Sequence, residues 1–272
     1  MPSKVALHLA ETYSHRSHFA KLGIKGSEQI RLDGLEALEH IRDLRDMFVD
    51  LILANTTDDM GDKLIEGYAE FLDPFTMQLD GLPIYIAGDA TGGRGTLQSA
   101  TDQGRVAGFN AARRSAVPFR PKTHVSIVFC DPNIASVGTS WSSLEPDACV
   151  VGEVRFGPVG RAVISGRNRG VLRIYADKNS KRILGAAMIG ARCEHLAHLL
   201  AWAVEQGMTV RDALCMPYYH PVFEEAIQDA LYELDRRLDG PAAGLVHLRR
   251  LDGWTDDTSA DRPVVAAELH EQ

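Results

Sequence analysis

The chain has no pair of cysteines spaced for redox chemistry: Cys130, Cys149, Cys193 and Cys215 are scattered, with neither CxxC nor CxxxxC among them. That pattern excludes a local disulfide-exchange motif and suits thiols kept reduced. A basic stripe is missing too. Lys and Arg number 29 against 37 Asp and Glu, for a formal net charge of −8 at pH 7, which argues against a nucleic-acid surface. No apolar run approaches the roughly 20 residues that span a bilayer. Residues 1–20 show neither a charged-then-apolar signal pattern nor a small-residue cleavage site, so the expected compartment is the cytoplasm, with no membrane attachment. A complete GxGxxG fingerprint is also lacking. Gly93-Arg94-Gly95 has Gln98 where the third glycine would stand and carries no phosphate-loop lysine, so it is discounted as a dinucleotide or phosphate loop.

What remains is an ordinary globular composition, 45% hydrophobic and 24% charged, enough for one large or two ordinary domains. Its most informative stretch is 210–234, VRDALCMPYYHPVFEEAIQDALYEL. Val222, Ala226, Ala230 and Leu234 recur at helical spacing after Pro221, and proline suits a first helical turn because its missing N–H loses no intrahelical bond. His220 then stands just outside the helix, where a carboxylate on the first turn or two reaches its ring, and Glu225 is the acid of choice. A histidine oriented by an acid is the usual construction of a general base near neutral pH. The plainer alternative is a His-Pro capping turn. Cys193, His195 and His198 also offer metal-ligating groups, but three ligands on one short helix rarely close a tetrahedron, so no metal is expected.

Elsewhere, Leu35, Leu38, Ile41, Leu44, Phe48, Leu51 and Ile52 follow helical spacing over residues 33–54, which predicts a long packed amphipathic helix. Residues 55–62 read as a loop, and 65–79 as two short strands broken at Asp73-Pro74. Residues 84–91, IYIAGDAT, read as a strand ending in Gly88-Asp89, which presents the Asp89 carboxylate where open α/β sheets bind cofactors. A helix from near Leu97 aims its N-terminal N–H groups the same way. A Gly-Asp turn capping that helix is the alternative. From 125 to 189 strand signals dominate: VSIVFC, IASVG, ACVVGEVRF, RAVIS, GVLRIYAD and ILGAAMIG. The intervening turns make an antiparallel sheet the natural reading. Helices over 194–206 and 209–214 follow, an α+β order. Residues 239–272 show no periodicity and read as a loosely ordered tail.

IYIAGDAT, DPNIASVG and PYYHPVFEE, in that order, resemble the flavin-dependent pyridine nucleotide-disulfide oxidoreductases, the family of dihydrolipoamide dehydrogenase, glutathione reductase and mercuric reductase. The likeness extends over about residues 2–238. It implies that His220 is the acid/base and Glu225 its partner, with a cis His220-Pro221 bond and a ring that reaches towards a second subunit. It further implies that Lys4 in PSKVALHLA, Gly88 and Asp89 in the GD motif, and Leu97 through its backbone belong to an FAD site. The expected fold is mixed, α+β / α/β: a remnant of an FAD-binding α/β domain at 1–121, an interface domain at 122–238 that makes a homodimer, and the tail.

The family separates the equivalents of residues 80–83 and IYIAGDAT by an NAD(P)-binding domain, whereas here they adjoin. The resemblance therefore implies an FAD-dependent NAD(P)H:disulfide oxidoreductase of dihydrolipoamide dehydrogenase type, acting on a small or protein-bound disulfide. This chain is expected to be a truncated or internally deleted form, inactive alone and without tightly bound FAD. The alternatives are a dimerising module that has lost the chemistry, and a protein that recruits a flavoprotein subunit in trans.

Overall fold

Runs of β-branched residues alternating about one apolar face, and broken by Asp, Gly and Pro, set the centre of the molecule. The structure is a computed structural model that describes residues 19–26, 33–63, 78–79, 82–83, 85–92, 95–113, 115–240, 245 and 247–249. In chain order its elements are α1 (Gly34–Met60), β1 (Gln78–Leu79), β2 (Leu82–Pro83), α2 (Leu97–Ala111), β3 (Val125–Val128), β4 (Asn133–Gly138), β5 (Cys149–Arg155), α3 (Gly160–Ile164), β6 (Gly170–Asp177), β7 (Ile183–Gly190), α4 (Cys193–Glu205), α5 (Val210–Leu214) and α6 (Glu225–Asp239). Strands β3 to β7 form one antiparallel sheet in the order β3-β4-β7-β6-β5. Among the described residues no helix is long and apolar enough to cross a membrane.

The sheet is two-faced because its side chains alternate. One face carries Ala135, Val137, Leu172, Ile174, Ala186 and Met188, all buried, beneath α4, which lies on β4 and β7, and α6, which lies on β5 and β6. Helix α6 contributes Ala226, Ile227, Ala230, Leu231 and Leu234, every one buried at helical spacing. The contact is close at Gly152 of β5, where a Cβ would stand 2.2 Å from the Ala230 carbonyl oxygen and 2.7 Å from Leu234 Cγ. The opposite face is covered at its β5–β6 end, where Tyr175 is buried against Trp141, and is open among the described residues towards β3, β4 and β7. Register sets Val128, Ile134, Ile189 and Val171 side by side across four strands; Val128 is 53% exposed and Ile134 44%.

Five expectations are corrected. The run RAVIS is not a strand but lies in α3: Ala162 is buried while Val163 and Ile164 are exposed, and local bonds such as Val163 N–H to the Val159 oxygen (3.0 Å) satisfy its backbone. One buried residue per turn is a helical burial period, which β-branching alone did not reveal. Tyr85–Ala87 form no strand, for want of a ladder partner among the described residues, and Gly88–Thr91 coil into a 3-10 turn. Pro221 is not in the first turn of α6. The helix starts four residues later at Glu225, with the Val222 amide donating to a Glu225 oxygen instead (3.1 Å). Residues 55–60, expected as loop, continue α1.

The fifth correction concerns α1 itself, which forms over Gly34–Met60 behind an Asp33 cap donated to by the Leu35 amide (2.8 Å). Leu35, Leu38, Leu51 and Ile52 nonetheless remain at least half exposed, so the expected packing is not made among the described residues. Periodicity folds a helix locally, whereas burial needs an apposed surface. Residues 78–79 pair with 82–83 as a short hairpin. The strands expected over 65–77, the helix expected over most of 1–20 with Lys4, and most of the tail lie outside the described residues.

Candidate active site

The loop between α5 and α6 is held at two aromatic anchors. Tyr218 donates its hydroxyl to the Ala213 carbonyl oxygen (3.2 Å), and burial pushes its phenol up to about 12; Phe223 is 9% exposed and belongs to the core. Between them Tyr219, at 79%, stands in solvent, as does the His220 side chain, at 78%. An aromatic pair of which one ring is partly buried and the next is out turns the following residue outward on a fixed base. The His220-Pro221 bond is cis.

Glu225, first residue of α6, reaches back over this loop. Its Oε1 lies 2.6 Å from His220 Nδ1, and its Oε2 accepts the Val222 N–H at 3.1 Å. The hydrogen bond from His220, then the Val222 amide and the imidazole charge, hold the Glu225 carboxyl below its ordinary range against a partial desolvation. A carboxylate at Nδ1 favours the tautomer with its proton there, leaving Nε2 as the basic nitrogen. The side chain of Glu225 is only 25% exposed, so the acid is set in the protein wall while the base projects. A histidine held in this way is able to exchange a proton with a group presented from outside the chain. The Val222 amide contact was invisible to residue-type reasoning because a backbone donor leaves no mark on sequence.

The remaining candidates are partly gathered. Gly88 adopts φ +74° and its amide donates to Gln103 Oε1 of α2 (2.7 Å), so the 88–91 turn rests on the first turns of that helix. Asp89 folds onto the backbone of Gly95, where a Cβ would meet its Oδ1 at 2.8 Å. Leu97 opens α2 with its side chain exposed, after Thr96, whose hydroxyl accepts the Ser99 N–H (3.3 Å). Gly88, Asp89 and Leu97 are thus neighbours. An FAD needs in addition a glycine-rich turn for its pyrophosphate and a sheet to rest on, and the described residues supply neither. They do not fit that cofactor as a complete site.

None of the four cysteines is in a disulfide. Cys193 is buried, which pushes its thiol up to about 12, and His198 Nδ1 is bound to the Glu194 carbonyl oxygen (2.7 Å) while His195 is exposed. These three do not converge, and no metal-ligating group of three His, Cys, Asp or Glu exists among the described residues.

An antiparallel sheet covered on one face by helices, with an outward histidine braced by a helix-borne glutamate, defines an α+β domain that carries an exposed histidine–glutamate pair. Residues 125–231, which include both members of the pair, match the family model described as the pyridine nucleotide-disulphide oxidoreductase dimerisation domain. A dihydrolipoyl dehydrogenase of Haloferax volcanii is 33% identical over 150 residues, covering 54% of this chain and 31% of that protein. The chain therefore spans about a third of the length of the curated relatives it matches. Among solved structures, LpdA from Mycobacterium tuberculosis aligns at 26% identity with a TM-score of 0.49, covering 54% of this chain and 33% of that one. The HOCl-induced flavoprotein disulfide reductase RclA from Escherichia coli, as its Cu(II) complex, aligns at 20% identity with a TM-score of 0.48, covering 54% and 34%.

Proposed function

We propose that residues 122–238 are the interface domain of a homodimeric, cytoplasmic disulfide oxidoreductase of dihydrolipoamide dehydrogenase type. In this reading His220 is its acid/base and Glu225 the residue that orients it. The observation that carries the proposal is the 2.6 Å Nδ1–Oε1 contact beneath an exposed ring, inside the matched domain. In the direction of thiol oxidation, His220 Nε2 takes the proton of a thiol S–H, leaving the thiolate that is the nucleophile of disulfide chemistry. In the reverse direction the imidazolium returns it to a departing thiolate. Glu225 stabilises the imidazolium and fixes its tautomer throughout.

Residues 1–121 then descend from the flavin domain, with Lys4, Gly88, Asp89 and Leu97 as its remnants, and 239–272 form a tail. FAD and NAD(P) belong to the intact oxidoreductase. The 272 residues do not complete that cycle unaided, because none of the four cysteines forms a spaced pair and no dinucleotide fingerprint is present. A second reading, a dimerising module without chemistry, is favoured by Asp89, which rests on Gly95 beside a segment that forms no strand.

Nitrogen NMR of the His220 ring, recorded while dihydrolipoamide is added to the purified chain, separates the two. A saturable change at Nε2 that Glu225→Gln diminishes supports the acid/base assignment. Ring resonances that stay fixed while the dithiol is in excess would favour the module without chemistry.

A further inference from the structure

Beside the His220 loop lies a cleft of about 390 Å³ that the acid/base pair does not use. Three guanidinium groups line it, Arg161 of α3, Arg167 ahead of β6 and Arg192 ahead of α4, together with His195; among the described residues Glu224 is the one carboxylate in its wall. Three basic side chains converging from three separate segments is unexpected in a chain of formal net charge −8. Arg167 is paired with Asp131 at 3.2 Å, and Glu194 stands 3.7 Å from His195. Arg161 and Arg192, both exposed, form no ion pair among the described residues. Val222 and Phe223, which directly follow His220-Pro221, complete the lining with apolar surface. The cleft thus couples two guanidinium groups open to a ligand with an apolar wall, at a size that suits a small molecule.

We propose that this cleft is a carboxylate-recognition subsite, which makes small disulfides bearing carboxylate groups the preferred substrate class; the substrate part rests on the reading of His220 given above. A guanidinium fork matches the two oxygens of a carboxylate, and charge-assisted bonds of that kind are the stronger ones in protein recognition. The apolar surface of Val222 and Phe223 faces the carbon chain between carboxylate and disulfide. The same ligand then extends from the arginines towards the histidine, so that one end is held while the other exchanges its proton.

The test compares lipoate with lipoamide, which share a dithiolane and differ in a carboxylate, on the full chain and on an R161Q/R192Q variant. Citrate and inorganic phosphate are added as separate probes. Lipoate should bind at least about tenfold more tightly than lipoamide, the size expected for a charge-assisted contact, and the variant should reduce that preference to near unity. Because both arginines are exposed, the circular dichroism of the variant should match the parent, and R192Q alone should show an intermediate loss. Equal binding of the two dithiolanes, a preference that survives in R161Q/R192Q, or arginine-dependent binding of phosphate with none of citrate would each overturn the proposal. Arginine-dependent citrate binding with neither dithiolane bound would retain the carboxylate subsite and sink the disulfide reading of His220 instead.

Discussion

Glu225 is where one residue decides both chemistry and local stability. Its carboxyl is lower in the folded chain than in the unfolded one, chiefly through the His220 bond and then the Val222 amide. The unfolded state therefore binds the proton more readily, and the stabilisation is fully present above the ordinary carboxylate range and lost as pH falls through the lowered value. Glu225→Gln should cost about 1 kcal/mol at neutral pH, since one partner is a solvent-exposed ring. It should also flatten the acid limb of a stability-versus-pH curve measured by urea unfolding. An unchanged acid limb would mean that the contact contributes nothing to folding. The pair was legible in sequence, because HPVFEE places an acid five residues after the histidine at a helix mouth. The second contact, to a backbone amide, depended on where α6 begins, and the proline placed that start too early.

Among the elements, α6 governs the site because Glu225 is its first residue. Its seat on the sheet requires no side chain at Gly152, where a Cβ would fall 2.2 Å from a backbone oxygen of the helix. Backbone cannot move aside as a flexible side chain does, so Gly152→Ala should lift α6 and cost about 1–3 kcal/mol, in the manner of an overpacked core. Thermal unfolding reads the loss, and the His220 ring shifts should move with it although the substitution lies on β5. Shifts that stay fixed would show that the loop is held by Tyr218 and Phe223 independently of the helix. The strands GVLRIYAD and ILGAAMIG were legible because buried β-branched runs bounded by turns have few other solutions. RAVIS was not, since its β-branched content speaks for a strand and only the burial of Ala162 reveals a helical turn.

At the scale of the molecule, two separate apolar surfaces stand open among the described residues: the row of Val128, Ile134, Ile189 and Val171 on one side of the sheet, and Leu199 and Trp202 on α4, which covers the other side. Apolar surface of this kind favours association, which supports the proposed homodimer. The incomplete flavin half-site supports weak FAD binding. One sedimentation experiment addresses both: read at protein and flavin wavelengths after incubation with FAD and removal of excess, the chain should move as a dimer without stoichiometric flavin absorbance. A monomer at micromolar concentration would contradict the homodimer, and flavin co-sedimenting at one per chain would contradict the weak-binding reading.

Sequence by itself determined the antiparallel sheet, the helices that follow it and the His220–Glu225 pairing, because alternation, helical periodicity and short spacings are properties of neighbours along the chain. Tertiary structure alone decided the rest. The cross-strand apolar row exists only once register is set, the arginine cleft only once α3, the turn before β6 and the turn before α4 meet, and the exposure of α1 only once its surroundings are known. Contacts between distant segments follow from register and packing, which no local pattern encodes.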